Sequence, residues 1–384
     1  MDNKKIHLAC VTYHNYGSLL QTYALQTVVS NLGFRPEIIA YTEPKLQKIK
    51  RLVNKEYAVT RLKMFSKGLR MKLKGEAFYN NLKIRSCSFD DFIKRHLVFG
   101  KKYTKLDEIK QDSTKWDLVL LGSDQVWHPI NYEMHFFTLE ILSSNVQKIA
   151  YAPSFGVSQI PNKYVTKYRK FLDGFTYLSC RENTGVNIIK DITGREAAHV
   201  CDPTLLMTSD EWRSVSKTNT IIEGPYLFVY LMGNNDNHRD YAKQYAKKHN
   251  LKIVALTHID EYVKSDDNYA DYTPFNVGPL DFLGLIDNAT AIFTDSFHAS
   301  VFSLLFHKNF YTFNRFESCI GTSTTSRIDS LLTMAGVNER KIKNGATLSD
   351  IELIKPTTWS LVDDNISAFR ERSLEYLKKI LNGK

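Results

Sequence analysis

The sequence predicts an α/β protein built from two domains, each with its own parallel β-sheet. The chain has 384 residues, more than one ordinary hydrophobic core holds. Apolar runs of strand length alternate with amphipathic helical segments along the chain, a pattern typical of parallel sheets. The alternation restarts after a break near residues 205–223, and we expect the two domains to divide there.

The first series of elements opens with a βαβ unit. An apolar strand at 5–13 is followed by a polar turn, by a helix that ends at Gly33, and by a second strand at 34–41. Further strands, each running into a turn or a helix, are predicted within four later segments: 116–129, 148–156, 175–194 and 198–207. We therefore assign residues 1–215 to an N-terminal domain that carries a basic insertion near 45–115.

The second series repeats the alternation and defines a domain at residues 216–350. Its elements are a strand at 224–233, a helix at 238–250, a strand at 251–259, a helix at 278–289 and strands at 291–294 and 308–313. Residues 366–383 have the apolar spacing of an amphipathic helix. We expect the segment 351–384 to cross back to the N-terminal domain.

The positive charge of the chain is concentrated in one segment. The formal net charge is +10, yet residues 45–85 alone contain 13 Lys and Arg against two Glu. Their apolar residues fall roughly at helical spacing, so the segment is a solvated basic helix, a contact with anionic membrane lipid, or a holder of an anionic acceptor. Nucleic-acid binding is the other electrostatic interpretation, but we expect no nucleic-acid partner.

Composition excludes several classes of protein. No apolar run reaches the roughly 18–20 residues of a membrane helix, and the first residues lack a secretory apolar region. The five cysteines are odd in number and lack CxxC spacing, which argues against a zinc site or a disulfide framework (Cys10, Cys87, Cys180, Cys201 and Cys319). We expect a cytoplasmic protein with reduced thiols, in peripheral contact with the inner face of the membrane through residues 45–85.

Polar residues follow four predicted strands at their carboxyl ends. They lie at 14–17, 122–125, 181–182 and 295–298. Ligands of open α/β sheets bind beyond these strand ends, so we expect the four seams to line one cleft. None contains a dinucleotide-binding or Walker fingerprint. The alternative for the last seam is that Asp295 or Ser296 only caps a helix and His298 only occupies its first turn.

Seven segments at these seams resemble the polysaccharide pyruvyl transferase family. They are HNYGSLLQTYALQ (14–26), LLGSDQVWHP (120–129), YAPSFG (151–156), SCRENTG (179–185), CDPTLLM (201–207), TDSFHASVFSLLF (294–306) and TSRIDSLL (325–332). The resemblance covers roughly residues 5–335. It implies a glycosyltransferase-B-like fold, with two Rossmann-like domains, and transfer of a pyruvyl group from phosphoenolpyruvate onto two hydroxyls of one sugar.

The resemblance also suggests which residues bind the donor. His298 takes the histidine position of the family's Arg-x-His motif, but Ser296 stands where many relatives have the arginine. Arg181 matches the arginine of the family's Arg-Asp/Glu turn and is the expected partner of the donor's anionic groups. Arg327 is our candidate to replace the missing arginine. Alternatives are a local pairing of Arg181 with Glu182 and a surface position for Arg327.

The expected catalytic residues are His298, Asp295 and Asp124, because transfer needs an acid and a base. Ser296, Arg181 and Arg327 are expected donor-binding residues, together with two residues on the N-terminal side of the cleft, Asn15 and Gly17.

Gln125, Trp127 and Tyr16 are expected to bind the acceptor, with a position in the core as the alternative for Trp127. Asp202 is expected to be a structural turn residue in the hinge.

The predicted function is therefore a pyruvyl (ketal) transferase of capsular or exopolysaccharide synthesis. We expect phosphoenolpyruvate as the donor, a lipid-linked or nucleotide-linked sugar as the acceptor, and neither a cofactor nor a metal. One alternative is a nucleotide-sugar glycosyltransferase of the same architecture, since fold alone does not decide activity. Another is a protein that only binds anionic polymers through residues 45–85.

Overall fold

The computed structural model describes residues 4–44, 76–217, 222–258, 262–315 and 326–383. Within these ranges the chain forms two five-stranded sheets in which every strand pair is parallel, together with a short parallel pair, which confirms the predicted α/β class. Most of the basic segment, residues 45–75, lies outside the described residues. Among the described helices, none combines the length and hydrophobicity needed to span a bilayer.

The first sheet has the strand order β3-β2-β1-β4-β5. Its strands are β1 (Lys5–Ala9), β2 (Arg35–Tyr41), β3 (Phe99–Tyr103), β4 (Leu118–Leu121) and β5 (Gln147–Ala150). β4 is buried along its whole length, as expected for a parallel strand covered by helices on both faces. The strand order reverses between β1 and β4, the point where ligands bind in doubly wound sheets.

The helices of this half, and a short parallel pair of strands, surround the first sheet. The helices are α1 (Tyr16–Asn31), α2 (Glu76–His96), α3 (Leu106–Ser113), α4 (Asn162–Asp173), α5 (Asn183–Thr193), α6 (Pro203–Leu206) and α7 (Ser209–Val215). The strand pair is β6 (Ser179–Cys180) with β7 (Ala198–His199). The short β6 carries Arg181 at its carboxyl end, next to β5.

The second sheet has the order β12-β11-β10-β8-β9, with β8 and β10 at its switch point. Its strands are β8 (Tyr226–Tyr230), β9 (Lys252–Ala255), β10 (Ala291–Thr294), β11 (Asn309–Phe313) and β12 (Lys341–Ile342). Its helices are α8 (Asp236–Lys248), α9 (Pro279–Asp287), α10 (Phe297–Leu305), α11 (Ser326–Ala335) and α12 (Leu348–Glu352). The helix α13 (Trp359–Leu381) closes the described chain.

Contacts from two directions join the halves. The α13 residues Ser373 and Tyr376 hydrogen-bond to the Cys201 amide and the Leu178 carbonyl in the N-terminal half. In the opposite direction, the buried Arg85 of α2 donates to the carbonyls of Thr257 and Pro274. These links fix the two switch points relative to each other.

Candidate active site

The candidate active site lies where the two switch points meet. Gly17 follows β1 and Asp124 follows β4 on the N-terminal side, while the seam from Asp295 to His298 follows β10 on the other side. Because β1 and β4 are neighbours in their sheet, as β8 and β10 are in theirs, the side chains beyond them converge. The predicted convergence of the seams is thus observed for these segments and for Arg181.

An ion pair between Arg181 and Asp202 forms the floor of the site. Arg181 Nη1 donates to Asp202 Oδ2 at 2.7 Å, and both side chains are almost fully buried. The hydroxyl of Ser123 donates to the same oxygen at 2.9 Å, and the Thr204 amide and hydroxyl donate to Oδ1. Burial opposes the charge on Asp202, but His298 and Arg181 outweigh it and hold the pKa of this carboxyl well below its usual range.

The imidazole of His298 is held between Asp202 and Gly17. His298 Nε2 lies 3.6 Å from Asp202 Oδ2, which is beyond hydrogen-bond length but close enough for electrostatic attraction. On the other side, a Cβ atom on Gly17 would lie only 2.0 Å from His298 Nδ1. Gly17 therefore allows α1 to approach the imidazole. A glycine is needed here because there is no space for a side chain, and not because of its backbone conformation.

Asp124 adopts a backbone conformation that side chains rarely take, with φ at +81°. Its carboxylate accepts hydrogen bonds from the Ser18 hydroxyl and the Gln125 amide, and Arg181 Nη2 lies 3.5 Å away. Burial opposes its charge, but Arg181 and His298 outweigh that effect and lower the pKa of Asp124. Asn15 caps α1 by accepting from the Ser18 amide, and it thereby supports this contact.

Arg327 brings a second guanidinium to the same place without a contact ion pair in the described residues, although the carboxylates of Asp124 and Glu182 attract it from further away. Its side chain is buried, and within the described part of the chain it makes no hydrogen bond or ion pair. Burial, together with repulsion from Arg181, lowers the pKa of Arg327 to about 9. The alternative of a surface position for Arg327 does not hold, because only 8% of the residue is exposed.

Several buried polar atoms at the site have no hydrogen-bond partner within the described residues. They are His298 Nε2, Arg181 Nε, Arg327 Nε, Glu182 Oε2 and Gln125 Nε2. Two of them, Arg181 Nε and Glu182 Oε2, lie 3.8 Å apart as an ion pair, the local pairing that the sequence left open, and His298 Nε2 faces Asp202. Native proteins satisfy nearly all buried polar atoms, so such a cluster calls for a cause. Donors outnumber acceptors among these atoms, which suits an anionic ligand with several oxygens.

A comparison with models of protein families shows to which family this chain belongs. A model of the polysaccharide pyruvyl transferase family matches residues 15–315, which include the segments that carry Asp124, Arg181 and His298. The chain belongs to the polysaccharide pyruvyl transferase family. The family indicates an enzyme that transfers pyruvyl groups in polysaccharide synthesis. A comparison with curated proteins finds no significant match.

Solved structures support the fold of this pyruvyl transferase family member. MnaA from S. aureus, solved with UDP, is 12% identical with a TM-score of 0.54, and the match covers 99% of this chain and 97% of that one. A putative UDP-N-acetylglucosamine 2-epimerase from Listeria monocytogenes is 10% identical with a TM-score of 0.51, covering 100% and 98%. At such identity the likeness concerns the fold, and it confirms the glycosyltransferase-B-like class.

Ser296 and Asp295, two of the predicted site residues, make capping and tethering contacts. Ser296 accepts from the Ala299 amide at 3.4 Å and so caps α10. Asp295 accepts from the amides of Met232 and Gly233 at 2.8 and 2.7 Å, tying the end of β8 to that of β10. Their predicted catalytic and donor-binding roles stay predictions, and these contacts support structural roles.

Two of the three predicted acceptor residues lie in the core. Trp127 is 2% exposed and packs against Phe155, Phe171 and Phe175, so its ring faces are covered, the alternative that the sequence left open. Tyr16 is equally buried and donates to the Val277 carbonyl, bridging the two halves. Gln125 differs from them because its buried Nε2 has no partner in the described residues.

Sequence reasoning missed the role of Asp202 as the counter-ion of Arg181 and His298. Its position before Pro203 indicated a turn, and it does cap α6, but the charge network arises only when three distant segments pack together. Arg315 was also missed: its Nε lies 3.6 Å from Asp295 Oδ1. Within the described ranges, no group of three or more His, Cys, Asp or Glu side chains could hold a metal ion.

Proposed function

We propose that this pyruvyl transferase takes its pyruvyl group from phosphoenolpyruvate and adds it to two hydroxyls of one sugar during capsular or exopolysaccharide synthesis. The observation that carries the proposal is the buried guanidinium of Arg327, which lies near Arg181 and has no hydrogen bond or contact ion pair in the described residues. A buried cation without a counter-ion is costly, and a ligand that carries a carboxylate and a phosphate would supply two. Guanidinium groups suit both because they donate two parallel hydrogen bonds.

The reaction needs an acid at one carbon atom of the donor. Protonation of the methylene carbon leaves positive character on the central carbon, which a sugar hydroxyl then attacks. We assign the acid to His298, because an imidazole suits proton transfer and its Nε2, 3.6 Å from Asp202 Oδ2, makes no hydrogen bond of normal length in the described residues. Asp202 attracts the ring electrostatically from the side of Nε2, and Gly17 leaves room for it on the side of Nδ1.

The reaction also needs a base on the side of the sugar. We assign it to Asp124, whose lowered pKa keeps its carboxylate ionised. It accepts the proton of the first hydroxyl as the new C–O bond forms. The bond between the central carbon and the phosphate oxygen then breaks, phosphate leaves, and the second hydroxyl closes the ketal. Of the two hydroxyl protons, one replaces the proton given to the methylene carbon and the other leaves with phosphate or solvent.

The test is thermal unfolding with phosphoenolpyruvate, with inorganic phosphate and with a panel of nucleotide sugars at matched ionic strength. A ligand at about 100 times its dissociation constant stabilises the folded state by roughly 2.7 kcal/mol. We expect phosphoenolpyruvate to stabilise the protein more than phosphate does, and Arg327→Met to lose this effect. The control is Arg35→Met, because the Arg35 side chain is 61% exposed and remote from the cluster.

Two results would contradict the proposal. One is equal stabilisation of the wild type and Arg327→Met by phosphoenolpyruvate. The other is stabilisation by a nucleotide sugar alone, with release of its nucleotide when an acceptor is added, which would indicate the glycosyltransferase alternative.

A further inference from the structure

The imidazole of His258, in the C-terminal half, has a hydrogen-bond acceptor at each of its two ring nitrogens. His258 follows β9, and its side chain is 6% exposed. Nδ1 lies 2.7 Å from Asp266 Oδ2, and Nε2 lies 2.8 Å from the Met232 carbonyl oxygen. A neutral imidazole has one N–H and one lone pair, so it satisfies only one of two acceptors. The two short contacts therefore indicate a ring that is protonated on both nitrogens and carries a positive charge.

The surroundings of His258 stabilise this positive charge. Asp266 is 9% exposed and also pairs with Arg239, whose Nη2 lies 2.7 Å from its Oδ1. Burial and Arg239 oppose the charge on His258, but the bonds to Asp266 and Met232 outweigh them and raise the pKa of His258 above its ordinary value of about 6.5. Four more titratable or charged groups lie around the ring: Tyr262 and Asp267, which line a pocket of about 240 Å³ with it, Arg85, which donates to the Thr257 carbonyl, and Asp295, which lies beyond Met232.

The contact with Met232 connects this ring to the seam that carries His298. Met232 lies in the turn at 231–233, which follows β8 and is called the β8 turn below. While its carbonyl accepts from His258, its amide donates to Asp295 Oδ1 at 2.8 Å. The next amide, of Gly233, donates to Asp295 Oδ2 at 2.7 Å. Asp295 follows β10 and lies three residues before His298, so the β8 turn holds the start of the seam.

The β8 turn is packed too tightly to move without its neighbours. A Cβ atom on Gly233 would lie 2.7 Å from the Arg315 carbonyl oxygen and 3.1 Å from Asp295 Oδ2. Arg315 Nη2 lies 3.3 Å from Met232 Sδ and donates to the Asp295 carbonyl at 3.2 Å. A displacement of the turn therefore reaches Asp295 directly, because packed elements transmit strain.

We propose that His258, as an imidazolium, is a positioning residue that holds the β8 turn on Asp295 and thereby keeps the seam at 295–298 in place for the reaction. Its effect on pyruvyl transfer rests on the proposed function, whereas its contacts with Asp266 and Met232 do not.

Loss of one proton from the ring would release the β8 turn. Nδ1 keeps its proton because it faces the carboxylate of Asp266, so the proton leaves Nε2. The lone pair of Nε2 then faces the carbonyl oxygen of Met232, and two acceptors in contact repel each other. Because the pKa of His258 is raised in the folded protein, its stabilising effect is fully present below about pH 6.5 and is lost as the pH rises through the raised pKa.

Two substitutions separate the two contacts of His258. The amide nitrogen of glutamine takes the place of Nε2 and donates to Met232, whereas the shorter asparagine takes the place of Nδ1 and donates only to Asp266. Both remove the charge, so each is the matched control for the other, and thermal unfolding checks that both fold.

The first measurement is kcat for transfer from phosphoenolpyruvate to methyl glycosides of common hexoses and N-acetylhexosamines. We expect His258→Asn to lower kcat by about tenfold or more, because the seam shifts, and His258→Gln to stay within about threefold of the wild type. The ratio of wild-type kcat to that of His258→Gln should also fall as the pH rises from 6 to 10, since glutamine donates to Met232 at every pH. Equal kcat values for the two variants, or a ratio that does not vary with pH, would overturn the proposal.

Two measurements on the full chain do not depend on activity. With ¹⁵N-labelled histidine, the ring signals of His258, assigned by their loss in either variant, should show both nitrogens protonated at pH 7. Amide hydrogen exchange at Met232 and Gly233 should be about tenfold or more faster in His258→Asn than in His258→Gln. A neutral ring in the wild type at pH 7, or equal exchange in the two variants, would overturn the proposal even where a variant folds poorly. Absence of transfer by the wild type would instead count against the proposed function.

Discussion

Replacing Arg327 by methionine should stabilise the protein while removing its affinity for the donor. Arg327 is buried, makes no contact ion pair in the described residues, and has its pKa lowered from the ordinary value of an arginine to about 9 by burial and by Arg181. Since one pKa unit corresponds to about 1.4 kcal/mol, charging this group costs about 5 kcal/mol more in the folded protein than in water. Apolar replacements of buried charges are often neutral or stabilising by about 1–4 kcal/mol, and we expect a gain in that range at pH 7.

The stability that Arg327→Met gains over the wild type should depend on pH in a defined direction. Burial and repulsion from Arg181 lower the pKa of Arg327 to about 9 in the folded protein, whereas the unfolded chain keeps the much higher pKa of an ordinary arginine. Wild-type stability therefore rises with pH beyond 9 relative to Arg327→Met, and the advantage of the variant shrinks there. Other groups that titrate at high pH are shared by both proteins and cancel in the difference.

The assay is urea unfolding of wild type, Arg327→Met and Arg35→Met at a series of pH values from 7 to 10. Arg35→Met should change stability by no more than about 0.5 kcal/mol, as an exposed substitution does. A loss of more than about 1 kcal/mol in Arg327→Met at pH 7 would refute the reasoning, because it would mean that Arg327 has a stabilising partner. A difference that does not vary with pH would refute it as well.

Three other substitutions test separate parts of the site. Gly17→Ala should reduce kcat at least a hundredfold, because its methyl group would displace the imidazole of His298, although alanine is the better helix former; near-normal turnover would exclude this contact. Trp127→Phe should leave the acceptor KM within about twofold, since the ring is core and its Nε1 has no partner in the described residues. Asp202→Asn should lower stability at pH 7 by about 3–5 kcal/mol, because it removes the nearest of the three carboxylates that pair with the buried Arg181. In the wild type this stability is present above pH 4 and lost as the pH falls further towards the lowered pKa of Asp202, so the two proteins should converge in acid.

The fold could be predicted from the sequence because its signals are local. Strand-length apolar runs and helical periodicity mark β1, α1 and β2 without reference to the rest of the chain. The strand orders could not be predicted, since pairing such as that of β1 with β4 depends on contacts between distant segments. The position of the site could still be inferred, because polar seams at strand ends point to one edge of each sheet.

The roles of individual residues were less predictable for a physical reason. A tryptophan beside polar residues, such as Trp127, looks the same in sequence whether its ring faces a sugar or three phenylalanines. Asp202 carries the signature of a helix cap, and it is one, but its second oxygen also neutralises Arg181. Charge networks of this kind form between segments far apart in sequence, and no local pattern reports them.

The most direct test of the central claim is to follow phosphoenolpyruvate labelled with ¹³C at its central carbon during incubation with the enzyme and methyl glycosides of common hexoses and N-acetylhexosamines. The account predicts that the labelled enol carbon becomes a ketal carbon bonded to two sugar oxygens, with one phosphate released for each ketal formed. His298→Gln should abolish both signals while still binding the donor. Release of labelled pyruvate without a ketal, or sugar transfer with the label unchanged, would contradict the assignment of this site to pyruvyl transfer.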